Sequence, residues 1–169
     1  MLLYARTIRH LRARQIFARL RSVCVRGKVP PAPQVPPTWD REALDRLCPY
    51  LAKRAELLGS TDAAPPTEAV FLNQAAPLDY GSPWHDTLRP LLWHYQLHGF
   101  RHMDALIAPG GKHGPVVLGE IHDWIGQNPP GSRPGWDPYP LSCRLLRWVC
   151  AEACFAFDDA EMRRSAHQQ

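Results

Sequence analysis

The sequence predicts a mainly α-helical fold assembled from helical hairpins. Apolar residues recur every three to five positions through five stretches, near 3–25, 40–58, 84–107, 115–127 and 140 to the mid-150s. Proline- and glycine-rich breakers fall between most of these stretches, at 29–37, 60–69, 108–114 and 128–135. No segment alternates apolar and polar residues for long enough to build a sheet, and no segment repeats. With 169 residues and 45% hydrophobic composition, the chain is long enough to bury one sizeable core.

Each element has a local cause. Over 3–25, Tyr4, Ile8, Leu11, Ile16, Leu20 and Val23 form an apolar stripe with arginines between, which makes residues 1–28 a basic amphipathic helix. Residues 29–37 follow as a proline-rich connector. Asp40 is placed to cap a helix that buries Leu44, Leu47, Leu51, Ala55 and Leu58, with Gly59 as its stop. Pro49 should kink that helix or split it in two. Residues 60–69 read as a linker, and Val70-Phe71-Leu72-Asn73 is too short to assign. Ser82-Pro83 looks like a cap and first helical position for a helix burying Leu88, Leu92, Tyr95, Met103 and Leu106, with Pro90 able to delay its start. A glycine-rich turn at 108–114 precedes a helix opened by Pro115, with Leu118, Ile121 and Ile125 inward. The last helix starts at Pro140 and turns Leu141, Leu145, Val149 and Ala153 inward. Residues 38–157 form the helical domain, and 158–169 read as a polar, fraying tail.

Charge is unevenly distributed. Eight of the 20 Lys and Arg lie in residues 1–28, where there is no acid, and the remainder of the chain carries a net −4. Such an arm suits nucleic acid, a membrane surface or an anionic polymer, or is simply a solvated helix face. The five cysteines are odd in number and contain no CxxC, which argues for free thiols rather than a disulfide framework or zinc ribbon. The opening Met-Leu-Leu-Tyr-Ala-Arg lacks the apolar core of a signal peptide, and no run is apolar enough for a membrane span.

The loop between the last two long helices is the best candidate for function. Trp136 lies among glycine and proline on a stiff segment, and Tyr139 follows it. Arg144 falls in the first turns of the next helix. Fixed aromatics beside an arginine suit a sugar ring with an acidic group, the guanidinium gripping a carboxylate or sulfate in bidentate fashion. Against this, Trp136 could plug the fold, and Arg144 could pair with Asp137 or Asp123. Trp93, Trp124 and Trp148 fall at helical positions that suit a core. His94, His98 and His102 share one helical stripe but lack the further ligand that zinc needs, so they read as packing histidines and no metal is expected. The 109–114 segment lacks the order of a phosphate loop. Ser142 near Asp137 has no base, so a hydrolase triad is not expected and no cofactor is implied.

Several consecutive blocks then resemble one family. Thr7-Ile8-Arg9-His10-Leu11-Arg12, Phe71-Leu72-Asn73, Leu92-Trp93-His94-Tyr95-Gln96-Leu97-His98-Gly99-Phe100, Asp123-Trp124-Ile125 with Asn128-Pro129, and Gly135-Trp136-Asp137-Pro138-Tyr139-Pro140-Leu141-Ser142 with Arg144 and Trp148 occur in the same order in the N-terminal domain of heparinase II/III-family polysaccharide lyases. The likeness spans most of residues 1–155. Arg147 and Gln96 stand where the family has asparagines, and Gly99 where it has an aromatic. The resemblance implies an α/α toroid, of which this chain would be the incomplete opening portion, and β-elimination of uronate-containing polysaccharides. The family's catalytic residues lie downstream of these blocks, so none maps onto this chain.

The expected function is therefore one wall of a groove for an acidic polysaccharide, contacted by Trp136, Tyr139 and Arg144, inactive alone and completed by the remaining part of a lyase. The alternatives are a non-catalytic acidic-glycan-binding module or a partner-completing module, with a nucleic-acid- or membrane-binding basic arm as a weaker one. The family often works in the periplasm, and the sequence fixes no compartment.

Overall fold

The structure, a computed structural model, describes residues 31–34, 38–58, 64–78 and 83–169. The expected 3–25 helix, part of the connector, the Leu58 side chain, the Gly59 stop, part of the 60–69 linker and the Ser82 cap lie outside the described residues. What is described is mainly helical, with one small antiparallel hairpin.

Helix α1 (Arg41–Asp45) opens where Asp40 accepts a 3.1 Å hydrogen bond from the Ala43 amide, which satisfies one of the orphan donors of the first turn. Helix α2 (Cys48–Leu58) starts just beyond α1, with Pro49 in its first turn. There a missing N–H costs no helical bond, so Pro49 marks the split expected of it. Leu44, Leu51 and Ala55 are buried, and Leu47 is partly so.

The unassigned stretch around Phe71 is the tip of a hairpin. Strands β1 (Glu68–Phe71) and β2 (Gln74–Pro77) pair in the register Glu68↔Pro77 to Phe71↔Gln74. Leu72 and Asn73 supply two successive positive φ angles, 54° and 59°. That is the backbone signature of the mirror-image turn whose twist matches a hairpin. Phe71 reaches inward to meet the Trp93 ring edge-on at 5.4 Å.

The long helix expected from Ser82-Pro83 to residue 107 is not formed. Pro83–His85 is a 3-10 turn, and α3 (Leu91–His98) begins only after Pro90. Proline cannot donate to a preceding turn and disfavours helical backbone at Arg89, so the delay lies in Pro90. The helix then ends at Gly99, and Phe100 takes a left-handed conformation (φ 62°) before a second 3-10 turn, Arg101–Met103. The inward face is also corrected. Leu88 is 89% exposed and Leu92 half exposed, while Trp93, His94, Leu97 and His98 are buried. Met103 and Leu106 are buried as expected, from turns rather than a helix.

Helix α4 (Gly114–Gln127) carries Pro115 in its first turn and buries Val117, Ile121 and Trp124, with Leu118 and Ile125 partly buried at its edges. Helix α5 (Pro138–Phe155) is rotated from the expected phase. Pro140, Arg144, Trp148, Cys150, Ala151, Glu152 and Ala153 are buried, so Ala153 faces inward as expected, while Leu141, Leu145 and Val149 lie half-buried beside them. Burying Trp148 removes more apolar surface from water than any of these aliphatics, which sets the rotation. The tail expected to fray is instead helix α6 (Ala160–Gln168). Asp159 caps it by accepting from the Met162 amide at 2.7 Å, and Met162 is wholly buried.

Helix α5 is the hub, packed against α1, α2, α3 and α4, while α6 closes on α4. One continuous core runs from Leu44 through the hairpin and Trp84 to Met162.

Candidate substrate-contacting site

The three residues proposed from the sequence fall into two environments. Arg144 is fully buried. Its guanidinium carbon lies 3.6 Å from the centre of the Trp124 ring. Nη1 donates to the carbonyls of His98 (3.0 Å) and Gly135 (2.9 Å), and Nε and Nη2 both donate to Oε1 of Gln169. Neither Asp137 nor Asp123 is among these partners. Burial lowers its pKa to about 9, which leaves it charged at neutral pH. An arginine whose donors are spent on interior carbonyls is a strut that ties the end of α3, the Gly135 loop and the end of α6 to α5. It is not presented to a ligand.

His98 completes this strut. Trp124 Nε1, which can only donate, points at Nδ1 of His98 at 3.0 Å. Nδ1 is therefore the bare nitrogen, and Nε2 carries the proton that it donates to the Trp84 carbonyl at 3.1 Å. Burial first, and then the Arg144 charge, lower the His98 pKa to about 3, so the ring stays neutral. Gly135 is glycine for a reason of space, since a Cβ there would lie 2.8 Å from His98 Nδ1 and 3.1 Å from the Trp124 ring.

Trp136 is half-buried. Its ring stands 6.1 Å from Trp124, and its Nε1 donates to the Asn128 carbonyl at 3.1 Å. It edges a recess of about 160 Å³ with Ile125, Pro130 and Arg164. That volume is small beside the roughly 300 Å³ at which ligand pockets begin.

Tyr139 is the outward-facing member, 49% exposed, with the Tyr95 ring 5.9 Å away. The Tyr95 hydroxyl donates to Asp137 Oδ2 at 2.8 Å, and Arg133 grips the same carboxylate through Nε (2.8 Å) and Nη2 (2.9 Å). Burial, then the hydrogen bond to Asp137, raise the Tyr95 pKa, so the phenol is a proton-holding donor at neutral pH. The surface thus offers two tyrosine rings and an exposed guanidinium. The sequence reading missed Arg133 as the cation of this surface. Its signal was the four-residue step to Asp137 across the Pro134-Gly135 corner.

The other candidates are accounted for inside the fold. His94 and His98 are buried against Trp93 and Trp84, and His102 packs beside Phe100. Among the described residues no group of His, Cys, Asp or Glu is arranged to hold a metal ion. Ser142 Oγ donates to the Tyr139 carbonyl three residues earlier at 2.8 Å, a bond within its own helix. Cys48, Cys143, Cys150 and Cys154 are free thiols, of which Cys150 is buried; Cys24 lies outside the described residues. Arg147 pairs with Asp104 at 2.7 and 2.9 Å, and Arg54 joins that carboxylate at 2.9 Å. Burial alone would raise Asp104, but the two guanidiniums outweigh it and hold the carboxyl below its usual range.

No described helix is long and apolar enough to cross a membrane. No family model, curated protein or solved structure matches the chain.

Proposed function

We propose that this chain supplies the opening helical wall of a heparinase II/III-like lyase for uronate-containing polysaccharide, and that its described helices are part of an α/α toroid. What supports the reading is where the resembling blocks meet. Trp93, His98 and Phe100 from one block, Trp124 from the next, and Gly135, Arg144 and Trp148 from the last all belong to one aromatic and guanidinium core. Residues that belong together in a family pattern form one physical unit here, rather than matching in isolation.

Within that reading the substrate meets Tyr139 and the edge of Trp136, and Arg133 takes the role first given to Arg144. Sugar rings stack on exposed tyrosine, and Arg133, two-thirds exposed although paired with Asp137, presents the remaining edge of its guanidinium to the uronate carboxylate. The chain binds and orients. The proton abstraction and leaving-group protonation of β-elimination belong to residues that the resemblance does not place in it.

The test uses an unsulfated polymer of alternating hexuronate and N-acetylhexosamine and its carboxyl-reduced, neutral form, at physiological salt. The full chain should bind the first and not the second. Tyr139→Ala and Arg133→Gln should each weaken binding, and the chain alone should release no unsaturated, ultraviolet-absorbing product. Equal affinity for both polymers, or binding indifferent to Tyr139→Ala, would defeat the proposal. The second outcome would assign binding to the basic residues 1–28.

A further inference from the structure

The turn that leads into α3 holds leucine in water. Leu88 is 89% exposed, and Leu91 and Leu92, which open α3 just beyond Pro90, are half exposed. The turn is pinned. One carboxylate oxygen of Asp86 accepts from the Leu88 amide at 2.8 Å, the other accepts from Arg89 Nε at 3.3 Å, and the Asp86 carbonyl accepts from His94 Nε2. Arg89 in turn lies over the Trp93 ring, 5.7 Å from its centre. The backbone therefore fixes Leu88 in an outward position. Neighbouring apolar side chains held out in this way mark a contact surface.

The basic segment meets the described fold at the same end of α4. His85, three residues before Leu88, donates from Nε2 to the Gln127 carbonyl at 3.0 Å, so the leucine turn abuts the last turn of α4. Ala32 shares a recess with Ile125, Asn128 and Pro130, at that same helix end. Lys28 is three residues from Pro31, the first described residue, a span of roughly 10 Å at most. Residues 1–28 thus join the fold at the leucine end of α4, and they hold eight Lys and Arg and no acid. Of the acids at this end, Asp86 is paired with Arg89, and Asp123 is turned to Trp84 Nε1 and the Gln127 side-chain amide.

Together the two features select a partner. Leucines that project from a turn need no matching hollow in a fluid lipid boundary, whereas a folded protein would have to supply a socket for them. Eight cations without an acid call for a densely anionic surface, which a leaflet rich in acidic lipid provides. Either signal alone gives marginal attachment, and the two combined give a stable one. We infer that the chain attaches peripherally to anionic membrane surfaces, with Leu88, Leu91 and Leu92 dipping into the headgroup boundary and residues 1–28 bound to the acidic headgroups. The inference does not depend on the Tyr139 surface.

The full chain is sedimented with vesicles of phosphatidylcholine alone and with vesicles of equal parts phosphatidylcholine and phosphatidylserine. The expected result is strong partition to the mixed vesicles, weak partition to the neutral ones, and a loss of at least about tenfold on the mixed vesicles in the double variant Leu88→Gln, Leu91→Gln. Both side chains are exposed, so the variant should melt with the parent. A parent that stays in solution beside the mixed vesicles overturns the inference without any variant. A folded variant that sediments like the parent overturns it too, because residues 1–28 would then act alone. Equal partition of the parent to both kinds of vesicle would leave those residues without a role and overturn it as well. A parent that is dimeric in sedimentation velocity, and monomeric in the same variant, would assign the leucines to a second copy and overturn it equally.

Discussion

Arg144 shows how much one side chain's surroundings decide. Its donors hold two backbone carbonyls and the Gln169 amide, and its plane covers Trp124. Lysine offers a compact point charge where a planar fork is required. Arg144→Lys should therefore cost about 2–4 kcal/mol in urea unfolding, from unsatisfied interior carbonyls and the lost ring contact. A ligand-gripping arginine would behave oppositely, with stability kept within about 0.5 kcal/mol and binding lost. Sequence could not separate the two, because Leu141, Leu145 and Val149 offer an equally regular inward stripe. Only the competition with Trp148 for the core resolves it. The burial of Trp93, Trp124 and Trp148, by contrast, was legible, since large rings at helical spacing have few other places to go.

His98 adds a pH dependence whose sign follows from its neutral state. The unfolded chain takes up a proton near the ordinary pKa of 6.5, and the folded ring resists until about 3. Between those values the unfolded state binds more protons, so stability falls as pH falls, by up to about 1.4 kcal/mol per pH unit from this group. His102, lowered to about 4 by burial and then by Arg147, adds to the same trend over a narrower window. Unfolding free energy measured from pH 7 to 4 should decline less steeply in His98→Gln than in the parent. Equal slopes would mean that His98 is not held neutral.

At the scale of elements, two glycines separate close packing from helix propensity. Gly135 has no room for a Cβ, so Gly135→Ala must push His98 or Trp124 aside and should cost about 1–3 kcal/mol. Gly119, mid-helix in α4, meets nothing within 4 Å, so Gly119→Ala should stabilise by about 0.5–1 kcal/mol through backbone entropy alone. Paired thermal melts check both signs at once. The caps are similarly concrete. Asp159→Ala removes the acceptor for the Met162 amide and the 3.1 Å contact to His122, and should cost about 1 kcal/mol, with amide exchange rising first in α6. Element boundaries were readable where proline or a capping aspartate set them, as at Asp40, Pro49 and Pro115. The hairpin was hidden because Leu72-Asn73 lacks the usual glycine, and α6 because Met162 is the one large apolar side chain that an otherwise polar helix buries.

At the scale of the whole molecule, long-range contacts tie the described residues together and leave no obvious seam among them. Phe71 of the hairpin meets Trp93 of α3, Trp93 Nε1 donates back to the Gln74 carbonyl at 3.0 Å, and Asp104 joins α2 to α5 through Arg54 and Arg147. A two-stranded hairpin is not stable by itself in water, so here it borrows its stability from α3. It follows that the described elements should unfold together. Far-ultraviolet circular dichroism and tryptophan fluorescence should trace one transition with a common midpoint. Phe71→Ala should lower that midpoint, by about 2–4 kcal/mol in free energy or roughly 5–15 °C in Tm, without splitting it. If the hairpin were an appendage, the same substitution would release its amides to exchange while the tryptophan transition stayed in place. The distinction bears on function, because Tyr139 rests on α5. A single transition would mean that this surface is held by the same core, and that variants at it must be judged against the melting curve of the whole chain.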